Sequence, residues 1–311
     1  MFMTNRTWVG GDNNQASNPS DWSPKGAPQP GDILTMSAGT MNINDNDLHG
    51  DQLTIAGFLA VTAPVTLNLS HVANATVVVS NFGNPVTVNV TGLDSLSLSD
   101  SRGFGFGGRA PVTVNMAEHS VLFGTFNMGD DETLFTGDES LTISGSKQTT
   151  YINNGFDKLI GSVAKIDPNV VGTGEFVVKS LGDSRSASTG SLEFGGFVSG
   201  GQTIELTGAF AGPFREEFDG KLKVDDPRQF HGTIVLHDLS LADLVGLAQA
   251  DTWSYSNDLL TIRAARGGVI DTLRVVSDAP TSGSVHGLTV SKTGAGDVLI
   301  SPGTDFHGAI A

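Results

Sequence analysis

Disulfides and thiolate metal sites are excluded from this chain because it contains no cysteine, so the residues to weigh for chemistry are its carboxylates, hydroxyls, Lys, Arg and His. Its carboxylates fall in short runs: Asp130-Asp131-Glu132, Glu216-Glu217 and Asp225-Asp226. A glycosidase needs two carboxyls converging on a sugar at a defined separation. These are chain neighbours close to Gly or Pro, which is the pattern of solvated turns. A polysaccharide lyase would need Lys or Arg as base near calcium-binding carboxylates, and Lys is scarce. The seven His are scattered with no His-x-x-x-His spacing, so no zinc or iron ligand set is formed. Gly283-Ser284 lacks the flanks of a Gly-x-Ser-x-Gly nucleophile turn. No catalytic residue is assigned.

Calcium is the one ion carried forward. Asn42, Asn44, Asp45, Asn46, Asp47 and Asp51 place oxygen ligands at short spacing. Asp45, Asp47 and Asp51 are the candidate ligands. No Glu closes the loop as it would in an EF-hand, and a turn cluster of Asn and Asp is the plainer reading. No other cofactor is implied.

The elements that position these residues are short strands. Forty glycines without an every-third period punctuate the sequence. Three phrases repeat: Pro64-Val65-Thr66-Leu67-Asn68-Leu69, Pro85-Val86-Thr87-Val88-Asn89-Val90 and Pro111-Val112-Thr113-Val114-Asn115-Met116. In each, apolar residues take one face and Thr and Asn the other, the period of a half-buried strand. Their spacing falls in the range of roughly 20 to 50 residues that marks stacked supersecondary units. The fold expected is all-β: a right-handed parallel β-helix, with a β-sandwich or jelly roll as the structural rival.

Residues 1–32 are expected to cap this coil. Thr7-Trp8-Val9-Gly10-Gly11, Asn18-Pro19-Ser20-Asp21-Trp22-Ser23 and Pro28-Gln29-Pro30-Gly31-Asp32 form no periodic element. Trp8 and Trp22 are expected to cover the exposed end of the first turn, as terminal repeats require; a sugar-binding aromatic platform is the alternative. The body spans 33–225. Within it, Arg102-Gly103-Phe104-Gly105-Phe106-Gly107-Gly108-Arg109 reads as a long turn rather than a nucleotide loop, since Pro111 opens a strand. Arg215–Gly220 reads as a charged surface turn.

Residues 226–311 are read as further rungs, with one short helix near 240–250 that Ser240 caps and Asp243 completes as a capping box. Trp253-Ser254-Tyr255-Ser256 and Leu259-Leu260-Thr261-Ile262 read as a strand pair. The phrase Phe230-His231-Gly232-Thr233-Ile234 returns as Phe306-His307-Gly308-Ala309-Ile310. Gly232 and Gly308 are read as turn positions between core residues.

The Trp-containing opening resembles that of many bacterial surface β-helix passengers, with Asp21 where Asn is usual. The run Leu288-Thr289-Val290-Ser291-Lys292-Thr293-Gly294-Ala295-Gly296-Asp297-Val298-Leu299-Ile300 resembles the passenger-associated repeat of autotransporters, a parallel rung. The resemblance covers roughly 5–35 and 226–311. It implies a β-solenoid exported to the bacterial cell surface. No C-terminal membrane barrel follows, so a type I or partner-assisted route is expected in place of self-translocation. Met1–Arg6 shows no signal-peptide pattern, which leaves another export route, a leader already removed, or no export by that pathway.

Seventeen Lys and Arg against 33 Asp and Glu give a formal charge of −16, which opposes binding to nucleic-acid phosphates. No apolar run reaches the roughly 18 residues of a membrane span. The function expected is therefore that of an extracellular, non-enzymatic structural or adhesive protein. Its partner is expected to be itself, joined head-to-tail at raw coil ends through Trp8, Trp22, Phe306, Gly308 and Ile310. Bacterial polysaccharide is the second partner considered, as substrate or ligand of a tail-spike-like β-helix. A calcium-dependent adhesin module is the third reading.

Overall fold

The computed structural model describes residues 4–11, 14–44, 47–49, 51–57, 64–73, 75–81, 85–100, 111–128, 139–182, 187–211, 216–237, 239–277 and 288–302. Glycine-rich 102–109, Asp45, Asp130, Asp131, Glu132, Ser284, Phe306, Gly308 and Ile310 lie outside the described residues. What is described is all-β, with two 3₁₀ turns at Pro19–Asp21 and Pro227–Gln229.

The chain alternates between two long sheets. Ile33–Met36, Gln52–Gly57, Ala75–Asn81 and Leu93–Asp100 join the first, and Gly39–Asn44, Val65–Ser70, Val86–Val90 and Val112–Met116 join the second. Neighbours within each series pair in parallel. This winding continues to Thr233–Leu236 and Ser240–Leu244, and it is consistent with a β-solenoid.

The repeated phrases lie in exact stacking register: Val65 opposes Val86, which opposes Val112, and Leu67, Val88 and Val114 do likewise. All six are buried. Because every coil puts an apolar residue at the same place, a column of side chains fills the space between the sheets, and burial drives each coil onto the last. Elsewhere in the core, aromatic rings from both sheets stack in a second series. Phe126, Tyr151, Phe176, Phe194 and Phe230 follow one another with ring centroids 5.4, 6.4, 5.3 and 6.1 Å apart.

Three sequence expectations are corrected. No helix forms at 240–250: Ser240–Leu244 is a strand with Ser240, Ala242 and Leu244 inward, and the Ser240 hydroxyl donates to the His237 carbonyl. Burial alternates along Ser240-Leu241-Ala242-Asp243-Leu244 as in a sheet, and Leu239 enters it through a positive φ of 54°. Likewise, Glu216–Phe218 is a strand, antiparallel to Ala209–Ala211, and not a turn.

The largest correction concerns the C-terminal end. Leu288–Lys292 and Val298–Pro302 form an antiparallel hairpin instead of a parallel rung, and Val298–Pro302 runs antiparallel to Ser240–Leu244. The tight turn decides this. Gly296 N–H donates to the Thr293 carbonyl, and Thr293 N–H to the Asp297 carbonyl, whereas a parallel partner requires a long crossover. Ala250–Ser256, Leu259–Ala264 and Val269–Ser277 form an antiparallel meander on the first sheet. Its first reversal uses Asn257 and Asp258, both at positive φ, as a two-residue hairpin demands.

Candidate functional site

The N-terminal segment packs against the first strands of both sheets. Asn5–Trp8 pairs in parallel with Ile33–Met36, and Trp22–Ser23 lies antiparallel outside it. Trp8 and Trp22 are buried at 4% and 1% exposure, their rings edge-to-face at 5.3 Å. Trp22 Nε1 donates to the Ala16 carbonyl at 2.7 Å. Residues 14–16 cover the second sheet's first strand: Asn42 N–H donates to the Asn14 carbonyl, and Ala16 N–H to the Asn42 carbonyl. Beneath the cap, Arg6 pairs with the buried Asp32. That ion pair, with bonds from the Gln29 and Thr4 amides, outweighs desolvation and holds the Asp32 carboxyl below its ordinary range. The Trp rings therefore pack into the core at this end of the two sheets. Both rings belong to the hydrophobic core and expose little of their surface.

The calcium candidates that are described hold turns. Asp47 accepts the Asn44 amide at 2.9 Å. Asp51 accepts the Gly31 amide at 2.8 Å and the Asp32 amide at 3.2 Å. The Asp225-Asp226 run is similarly engaged: Asp225 meets Lys223 at 3.0 Å, and Asp226 accepts from the Gln229 amide group. Lys292 donates to the carbonyls of Ala248 and Ala250 at 2.6 and 2.7 Å, fastening the C-terminal hairpin to the start of the meander. Gly232 has no positive φ. Its lack of a side chain matters because a Cβ would sit 3.1 Å from the Gln202 carbonyl oxygen and from Phe230 Cζ.

The structure gathers polar side chains in columns along the outer face of the second sheet. Asn68 Nδ2 donates to Asn42 Oδ1 at 2.8 Å, Asn89 to Asn68 at 2.7 Å and Asn115 to Asn89 at 3.0 Å. Beside this ladder stand Thr40, Thr66, Thr87, Thr113 and Thr142 in register. The threonine column then turns ionic: Lys165 follows Thr142, then Glu193, Lys223 and Asp243. Lys165 lies 3.3 Å from Glu193, and Lys223 3.1 Å from Glu193. Asp167 chiefly holds the Lys165 amine above its usual range, and Asp225 does so for Lys223.

On the first sheet, Glu175 is raised by desolvation and by a hydrogen bond shared with Glu205. Glu205 in turn meets His237 Nε2 at 3.2 Å. Two carboxyls in direct hydrogen-bond contact cannot flank a glycosidic bond, which needs a separation of about 5 Å or more. Among the described residues no three His, Asp or Glu side chains converge as metal ligands.

Sequence reasoning missed one buried constellation. Asp157 and Tyr151 point into the core together, with the Tyr151 hydroxyl 2.7 Å from Asp157 Oδ2. The available signal was an Asp at an inward position of Phe156-Asp157-Lys158-Leu159-Ile160, where alternation calls for an apolar residue.

The sequence matches no protein-family model and no curated protein.

Proposed function

We propose that this chain is a right-handed parallel β-solenoid acting as a non-enzymatic structural or adhesive element at a bacterial surface, and that it self-associates. Right-handed winding is what crossover chirality favours for parallel strands of one sheet. The observations that carry the reading are the Asn ladder and, continuing the threonine column beside it, the Lys165-Glu193-Lys223 ion pairs. These outward groups bond along the axis from coil to coil, stiffening a rod instead of converging on a substrate.

The contact we place between copies lies at the C-terminal end. Ala250–Ser256 and Leu288–Lys292 are the outermost strands there, and among the described residues each has a strand neighbour on one side only. Trp253, Leu259 and Val269 are exposed on the meander. An edge strand with free backbone groups pairs readily with another chain, and a shared two-fold contact closes as a dimer. At the N-terminal end the outermost strand of the first sheet, Trp22–Ser23, is only two residues long, and residues 14–16 already bond to the outermost strand of the second, so we place the contact tail-to-tail instead of head-to-tail. Electron microscopy and sedimentation of the parent and of the Thr252→Lys, Ser254→Lys double variant test this. Paired rods in the parent and single rods in the variant are expected. A strictly monomeric parent, or release of reducing sugar from bacterial exopolysaccharide, would overturn it.

A further inference from the structure

The Tyr151–Asp157 pair sits where one strand changes partners. Val121, Leu122 and Phe123 pair with Thr150–Ile152, but Asn127 and Met128 pair with Lys158 and Leu159 of Phe156–Ile160. At this fork two backbone groups are met by side chains. Asp157 Oδ1 accepts the Phe126 amide at 2.7 Å, and the Tyr151 hydroxyl lies 3.1 Å from the Gly124 carbonyl oxygen. Tyr151 and Asp157 are 0% and 1% exposed.

The proton inventory of this cluster is decisive. A phenol has one proton, and here it faces two oxygens: the Gly124 carbonyl, which only accepts, and Asp157 Oδ2 at 2.7 Å. With an ionised carboxylate one of these contacts brings two acceptors together without a proton. With a neutral carboxyl both are made: Asp157 Oδ2–H donates to the phenol oxygen, and the phenol donates to Gly124. We propose that Asp157 is a proton-operated clasp, closed as the neutral acid and released by ionisation, which frees the fork between Thr150–Ile152 and Phe156–Ile160.

The surroundings agree. Asp157 faces Phe176 across the next coil, with the ring of Phe126 also packed on Tyr151. Tyr151 is the one ionisable side chain acting on it from the strands packed there, among the described residues. Lys158 alternates to the outer face. Burial, only partly offset by the Tyr151 and Phe126 bonds, pushes the Asp157 carboxyl up to about 7. Burial also raises the Tyr151 phenol well above its ordinary range, so it keeps its proton throughout.

The sign follows from linkage. Between the unfolded carboxyl value of 3.8 and about 7, the folded state holds a proton that the unfolded state has lost. Stability therefore falls as pH rises through that interval, by about tenfold in the folding equilibrium per pH unit, and levels off above it. Asp157→Asn mimics the neutral acid, since its Oδ1 can accept from Phe126 and its amide can donate to Tyr151.

The test is urea unfolding of the full chain and of Asp157→Asn across this range, with the difference between them isolating this group from the other carboxylates. The expected result is a difference that shifts in favour of the variant by about tenfold per pH unit up to about pH 7, then stays constant. Parallel profiles would overturn the proposal. Should the variant not fold, the carboxyl carbon resonance of Asp157 in the parent decides: titration near neutrality supports the clasp, and titration in the ordinary carboxylate range rules it out.

Discussion

Asn89 Nδ2 donates to Asn68 Oδ1 at 2.7 Å, although the two residues are 21 positions apart in the chain. The bond exists because the repeated phrase places Asn at the same point of successive coils, so the amides stack and each donates to the one before. Asn89 also accepts from Asn115, so Asn89→Ala removes two bonds of a half-exposed ladder. The expected loss is about 1–2 kcal/mol, read as a lower urea midpoint with unchanged circular dichroism. Asn89→Asp puts a carboxylate beside the Asn68 carbonyl oxygen and should lower the midpoint further at neutral pH than below the carboxyl's own titration.

Trp22 packs into the core at the N-terminal end. Trp22→Ala empties a fully buried ring site and should cost about 3–5 kcal/mol. Trp22→Phe keeps most of the packing and loses the bond to Ala16, at about 1 kcal/mol. Denaturation midpoints separate the two. If this packing is what hides the first coil, Trp22→Ala alone should also bind a hydrophobic dye.

The carboxylate of Asp51 holds the amides of Gly31 and Asp32, tying the cap to the second coil. Asp51→Ala should lower the melting temperature by an amount corresponding to about 1–2 kcal/mol. Because the carboxylate acts as a turn acceptor, the decrement should be the same with calcium and with EDTA. A decrement seen only with calcium would restore the ion-binding reading.

Lys223 bridges Glu193 and Asp225 at the surface, with its side chain 42% exposed. Replacing it by Met leaves Glu193, Asp225 and Asp243 facing one another. The expected destabilisation is below about 1 kcal/mol at physiological salt, and it should shrink as salt screens the remaining repulsion. A salt series of thermal melts checks this.

Much of the cap and the first coils was legible in the chain because their pattern is local and repeated. Val-Thr-Val-Asn-Val sorts its own side chains inward and outward, and three copies supply the register. The two Trp in a Gly- and Pro-rich opening stood out because they form no periodic element, and the structure buries both against each other. The Asn ladder follows from the same repeat, but its hydrogen bonds required the coils to be stacked.

Other features were illegible for a physical reason. A period of two states which face a residue takes and is silent about its partner strand. Leu288–Lys292 and Val298–Pro302 alternate as a parallel rung would, yet the bonds within the Thr293–Asp297 turn fold them back on each other. Ser240 and Asp243 fit a capping box by spacing alone, but Ala242 and Leu244 gain more from the sheet, where they are buried. By itself the sequence determined the strands of the repeated phrases, their inward faces and the hydrophobic column those faces build. Tertiary structure alone decided the antiparallel closure of the C-terminal end and the meeting of Tyr151 with Asp157, because pairing direction and the company of a buried carboxyl are set by whichever segments lie across the core.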